Sequence, residues 1–167
     1  MSLSFINNEK ALENVRFNLH LYDDRRETDS ISAAIMQYNK NSASFYNSAG
    51  FLAGLEEIPT TPLLKRRLFK DINMLKGDGL VMVFDKDRVT IRRVYLRNRL
   101  YSVAETEEVW AISLQDVRTR QPLFNLKASQ VKVRYQLYKD KGRWMIFDVD
   151  VYPVDEAIPA VDIKRAL

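Results

Sequence analysis

From Leu80 onward the hydrophobic period of this chain is two, and it stays two through five successive runs that end at Tyr152. The runs are LVMVF (80–84), RVTIRRVYLRNRLYSV (88–103), EVWAISLQDV (108–117), QVKVRYQLY (130–138) and RWMIFDVDVY (143–152). A period of two puts alternate side chains on opposite faces of a strand, and turn residues separate the runs. Before residue 79 the spacing is helical. Helices first and an antiparallel meander after predict an α+β fold, with N-terminal helices packed on one face of a curved, cone-like antiparallel β-meander.

In the helical part, residues 8–22 fit two patterns. Leu12, Val15, Leu19 and Tyr22 make a helical stripe, while Val15, Phe17, Leu19 and Leu21 alternate as a strand would. The reading adopted is a helix to about Leu21. DDRRETDS (23–30) is then a polar connection, followed by a second helix carrying Ile31, Ala34, Ile35, Tyr38, Phe45 and Leu52, with Gly50 and Gly54 at its end. Thr61-Pro62 supplies an N-cap and a first-turn proline, Gly77 an end, and Leu64, Leu68, Ile72 and Leu75 a buried stripe. The expected organisation is one domain over 1–167: a helical part at 8–76, a sheet at 80–152, and a tail at 153–167 lying over the domain or serving a partner. TRQPLFNLKAS (119–129) reads as a structureless connection.

The chain is long enough to bury roughly 70% of its unfolded surface, and with 46% apolar residues it needs no cross-link to hold a core. It contains no cysteine, which excludes disulfides, thiolate metal sites and a cysteine nucleophile. The single histidine, His20, has no second ligand for a metal site, so neither metal nor cofactor is expected. MSLSFINNEKALENV lacks a basic segment followed by an apolar one, and no window reaches eighteen apolar residues. The chain as written is expected to be soluble, either cytoplasmic or an exported domain excised from an anchored protein.

The most informative stretch is KVRYQLYKDKGRWMIFDVDV (132–151). A three-residue hairpin loop, Asp140-Lys141-Gly142, sets residue 139 against 143. Tyr138 then faces Trp144, Gln136 faces Ile146, Arg134 faces Asp148 and Lys132 faces Asp150. Val133, Tyr135, Phe147 and Val149 fall on the other face, in the core. Asp148 and Asp150 are thus the acidic halves of two cross-strand ion pairs. The catalytic alternative makes Asp148 or Asp150 a base and Tyr135 or Tyr138 a proton donor, and requires a carboxylate shielded from its basic partner.

The hairpin G-R-W-M-I-F-D-V, with Gly142, Trp144, Ile146 and Asp148, resembles the nuclear transport factor two-like (cystatin-like cone) superfamily over about residues 30–152. The resemblance implies a bent sheet wrapped around helices with a cavity at its wide end. Some relatives are lyases or isomerases of small molecules. Others are non-catalytic interaction domains, including soluble domains of membrane-anchored transport and secretion machinery. The enzymatic relatives often pair Asp with His, and His20 lies outside the matching region.

Elsewhere, Arg93, Tyr95, Arg97, Arg99 and Tyr101 alternate on one strand face and, with Lys132 and Arg134, would form a surface for an anionic partner such as nucleic acid. The opposing reading is a solvated face neutralised by Glu105, Glu107, Glu108, Asp148 and Asp150; the net charge is only +4. LLKRRLFK (63–70) reads as the wet side of a helix. Trp110 and Trp144 are expected in the core or lining the cavity. Together these features point to a non-catalytic binding or scaffolding domain with a protein partner or self-association. The alternatives are a cone-pocket lyase or isomerase and a nucleic-acid-binding sheet.

Overall fold

A computed structural model describes residues 3–159, with side chains described from residue 25 onward except at 52, 53 and 87. The elements in chain order are α1 (Leu3–Asn47), α2 (Leu52–Glu56), α3 (Pro62–Gly77), β1 (Leu80–Leu96), β2 (Tyr101–Asp116), β3 (Pro122–Asp140) and β4 (Arg143–Pro153). The four strands form one antiparallel sheet in the order β1-β2-β3-β4. The fold is α+β with a curved sheet. Register shifts at Lys86/Arg88 and Ile91/Arg93 in β1, and at Trp110/Ile112 and Leu114/Gln115 along β2, supply bends.

Three boundaries differ from the periodicity reading. The two predicted N-terminal helices are one, because DDRRETDS continues as helix. Residues 3–47 contain neither glycine nor proline, and Ser30 and Ser32 turn their hydroxyls onto the carbonyls of Arg26 (2.9 Å) and Thr28 (2.8 Å) within the helix. The five runs make four strands: the first two merge as β1 and the start of β2, and the predicted connection 119–129 is mostly the first half of β3. The side chain of His20 lies outside the described residues, as does the tail beyond residue 159.

The third difference is the final hairpin. Its loop has two residues, with Lys141 (φ 46) and Gly142 (φ 81) both left-handed, so Asp140 faces Arg143. A loop shorter by one residue slips the register and flips the side chains next to the turn, so Trp144 and Ile146 are buried in place of Met145 and Phe147. A bulge between Gln136 and Leu137 in the ladder leaves Phe147 without a β3 partner and restores the phase. Val133 and Tyr135 are therefore fully buried and Val149 packs against the core as expected. Phe147 is instead half-buried, its ring 6.4 Å from that of Tyr138.

The core is the seam between α1, α3 and the inner face of the sheet. Ile31, Ala34, Ile35, Tyr38 and Phe45 of α1 and Leu64, Leu68 and Ile72 of α3 meet Ala104, Val133, Tyr135, Leu137, Trp144 and Ile146. Each of the larger of these contributes on the order of 1.5–3 kcal/mol by leaving water. Thr61 caps α3 by accepting from Leu64 N–H (3.3 Å), and its own N–H donates to Ile146 O (2.9 Å). Ile146 N–H returns a bond to Pro59 O (2.9 Å), so the chain before α3 covers the edge of β4. The edge of β1 is covered at Phe84, whose N–H and C=O bond the Asn47 side chain (2.7 and 3.0 Å). Glu27 of α1 accepts from Trp144 Nε1 (2.7 Å) and from Lys139, fixing the helix to the hairpin tip. Although burial pushes the Glu27 carboxyl up, those two donors outweigh it and hold it below its ordinary value.

At the end of α1 the chain reverses through Ala49 (φ 58) and Gly50 (φ 83), and Gly50 N–H closes onto Phe45 O (2.9 Å). A Cβ on Gly50 would stand 2.7 Å from Ile72 Cγ2, inside the core, whereas at Gly79 (φ 75) nothing lies within 4 Å. Gly50→Ala should therefore cost about 2–4 kcal/mol, summing left-handed strain and overpacking. Gly79→Ala should cost about 1–2 kcal/mol from strain alone. Urea melts of the two variants check the difference; equal losses would contradict the close approach.

Candidate functional site

Alternation along β1 and β2 carries Phe84, Lys86, Glu108 and Trp110 to the inner face, with Lys86 directly opposite Trp110. There the sheet, α1 and α3 border a half-open cavity of about 360 Å³, lined by Tyr38, Tyr46, Leu64, Leu68, Phe84 and Trp110, with Lys86 in its lining. Arg67, Asp71, Asp148 and Val151 also border it. Its volume falls within the roughly 300–1,000 Å³ typical of small-molecule sites.

Beside the cavity lies a fully buried carboxylate, Glu108. Its Oε1 accepts from Tyr135 OH (2.6 Å), Thr106 Oγ1 (2.7 Å) and Asn39 Nδ2 (3.4 Å), and its Oε2 from Trp110 Nε1 (2.7 Å). A buried charge is tolerable when donors of this kind replace water. Asn39 also donates to Tyr135 OH (2.8 Å), while its Oδ1 accepts from Lys86 Nζ (2.6 Å). One polar chain thus runs from Lys86 through Asn39 to Tyr135 and Glu108. The Lys86 ammonium sits over the rings of Trp110 (4.7 Å), Phe84 (5.7 Å) and Tyr38 (5.8 Å). Desolvation pulls its pKa down to about 8, against the nearby Glu108 charge that holds it up. Burial, reinforced by Glu108, drives the Tyr135 hydroxyl well above its ordinary value. Burial likewise pushes Tyr46 up to about 12.

The sequence-predicted carboxylates have other partners. Asp148 stands opposite Gln136, and its ion pair is with Arg67 of α3 (3.4 Å; side chains 38% and 58% exposed). Asp150, half-buried, stands opposite Arg134. The predicted pairs Arg134–Asp148 and Lys132–Asp150 do not form, because the short loop and the bulge shift β4 by two positions relative to β3. Arg134 instead bonds Glu105 of β2 (3.0 Å; 10% and 15% exposed) and the carbonyl of Pro159, and lies 5.9 Å from the Tyr152 ring. Lys132 Nζ donates to Glu156 O (2.8 Å). The described part of the tail therefore lies over the outer sheet face, held by two of the five cations assigned to an anionic partner.

The other three do not extend that surface. Arg93, Glu105, Arg134 and Asp150 are successive register partners across the four strands, so the row alternates in sign. Arg97 and Arg99 fall in the β1–β2 connection after β1 ends at Leu96. Tyr135 is in the core beside Glu108, while Tyr138 lies against Phe147. Periodicity reasoning missed Lys86, Asn39 and Glu108. The signal for Glu108 was its parity, shared with buried Ala104 and Thr106 and with Trp110, which places a glutamate on the apolar side of its strand.

A second feature stands at the sheet's margin. β4 ends at Pro153 opposite Val131, yet β3 begins at Pro122, so among the described residues 122–130 pair with β2 alone. All nine are exposed, including Leu123 (63%), Phe124 (53%) and Leu126 (51%). Natural edge strands are usually short, charged or covered; this one carries a single charge, Lys127.

Tyr135→Phe should cost about 1–3 kcal/mol, since Glu108 loses a close donor and Asn39 an acceptor; chemical melts measure it. For Lys86, a folded-state pKa below the unfolded value near 10.5 means the unfolded chain binds the proton more tightly. The penalty is therefore full below about pH 8 and is relieved as pH rises toward 10.5. The stability of the wild type relative to Lys86→Met should rise by up to about 1.4 kcal/mol per pH unit in that window. A flat difference would contradict the burial of the ammonium.

No family model matches the chain, and no curated protein does. Among solved structures it resembles the intermembrane-space region of the chloroplast protein ARC6, with a TM-score of 0.62 and 14% identity, over 75% of this chain and 95% of that one. At that identity the likeness shows a shared fold.

Proposed function

We propose that this chain is a non-catalytic docking domain of a membrane-associated assembly, built on the cone of the nuclear transport factor two-like superfamily. It takes up an extended segment of a partner protein along the free edge of β3. The observation that carries this reading is the exposed stretch 122–130, whose backbone has, among the described residues, no strand on one side and whose side chains include Leu123, Phe124 and Leu126. A strand added there would continue the line of β4, gaining main-chain hydrogen bonds for affinity and apolar contacts for specificity. The segment 111–130 carries Arg118, Arg120 and Lys127 against Asp116 alone, which favours an acidic, apolar partner strand.

Two further observations support it. The carboxylates proposed as catalytic are not isolated in a dry pocket: Asp148 is held by Arg67, and Asp150 faces Arg134. The structural neighbour is described as a region of a chloroplast protein in the intermembrane space, in keeping with service beside a membrane. Among the described residues no helix is long and apolar enough to cross a membrane.

The test is the double variant Phe124→Asp, Leu126→Asp, placed in the native protein and purified with its partners. Both side chains are exposed, so stability should change by about 1 kcal/mol or less. Co-purifying partners should be lost, along with the amide protection of 122–130 that the intact assembly confers. A variant that keeps its partners would overturn the reading, as would protection of 122–130 arising from self-association of the pure chain.

A further inference from the structure

We infer that the cavity over Lys86 is a binding site for a small amphiphilic carboxylate, with its head on the Lys86 ammonium and its apolar tail along Leu64, Leu68, Val149 and Val151. The inference goes beyond the docking reading and stands separately from it, since it concerns the inner face of the sheet and not the strand edge.

The ammonium is the starting point. Lys86 Nζ has three N–H donors, and among the described residues one is accepted, by Asn39 Oδ1 at 2.6 Å. No carboxylate among those residues lies within ion-pair distance of it. Glu108 is near, but its two oxygens already take four donors. Ring faces at 4.7–5.8 Å compensate part of the lost hydration and supply no acceptor. An ammonium held in a mostly apolar cavity with unfilled donors calls for an anion of matching size.

The surroundings restrict which anion. A cationic ligand is disfavoured because the aromatic box of Trp110, Phe84 and Tyr38 already holds a cation. A dianion such as phosphate would set two charges against one ammonium, with Glu108 behind it and Asp71 and Asp148 at the border. A single carboxylate adds the least negative charge that still fills the ammonium's donors, and Arg67 at the same border is already paired with Asp148. Its tail is provided for: Leu64 and Leu68 of α3 and Val149 and Val151 of β4 line the same cavity, and Val151 is 48% exposed. The cavity's 360 Å³ holds roughly a dozen water volumes of ~30 Å³, which suits a single short chain.

The experiment titrates the whole chain with octanoate, octanol and octylamine by calorimetry, following the indole N–H resonances of Trp110 and Trp144 by NMR. Octanoate should bind about ten-fold or more tighter than octanol, as expected of a charge-assisted hydrogen bond in a desolvated site. Octylamine should bind more weakly than either. The Trp110 indole, which lines the cavity, should shift; the Trp144 indole, outside the lining and held by Glu27 midway along α1, should not. Lys86→Met should remove about ten-fold or more of the octanoate affinity while leaving octanol binding within about two-fold. If that variant fails to fold, the ligand series and the two indoles in the wild type decide. Octanol or octylamine binding as well as octanoate would overturn the inference. So would an absence of saturation at millimolar octanoate, or a shift confined to Trp144.

Discussion

Burying Glu108 without exposing its charge to an apolar core is the constraint around which the inner face is arranged. The carboxylate needs donors from several directions, and no single element can supply them. Thr106 and Trp110 come from its own strand, Tyr135 from β3 and Asn39 from α1. Satisfying the group thus fixes the β2–β3 register and the rotation of α1 over the sheet together. A slip of one residue in β3 would turn Tyr135 outward and leave a buried charge short of its closest donor. The network therefore selects one arrangement of a sheet whose apolar pattern alone would tolerate several.

The same arrangement leaves a cavity. Phe84, Lys86 and Trp110 occupy the sheet side, Tyr38 and Tyr46 of α1 and leucines of α3 the helix side, and among the described residues no side chain fills the space between. Lys86 is tied to the Glu108 network through Asn39, so whatever the cavity holds is coupled to the group that sets the register.

The sheet's edges are managed unequally. Asn47 covers β1 at Phe84, and Pro59 and Thr61 cover β4 at Ile146. The segment after β4 folds back over the outer face, with Lys132 bonding Glu156 and Arg134 bonding Pro159. Among the described residues, that leaves the first half of β3 without a strand on one side. Covering two edges and leaving a long apolar stretch open is an aggregation hazard unless something pairs with it, which is the physical basis of the proposed docking edge.

Sequence periodicity alone determined the succession of helices and antiparallel strands, the limits of α3 from Thr61-Pro62 to Gly77, and the buried stripe Ile31, Ala34, Ile35, Tyr38 and Phe45. Those features depend on neighbours a few residues away, where spacing and capping chemistry act directly. It also read Val133 and Tyr135 as core. Tertiary structure decided the rest. Whether Lys141-Gly142 or a longer loop turns the last hairpin depends on a left-handed pair that Lys-Gly permits without requiring, and that one residue together with the bulge at Gln136/Leu137 set Arg134 opposite Asp150 in place of Asp148, with its ion pair to Glu105. Residues 119–129 look like a loop in isolation and become a strand only because β2 offers a ladder. Glu108 and Lys86 look like surface charges until a helix is laid over them, because burial and hydrogen-bond partners are properties of the packed chain and not of its local pattern.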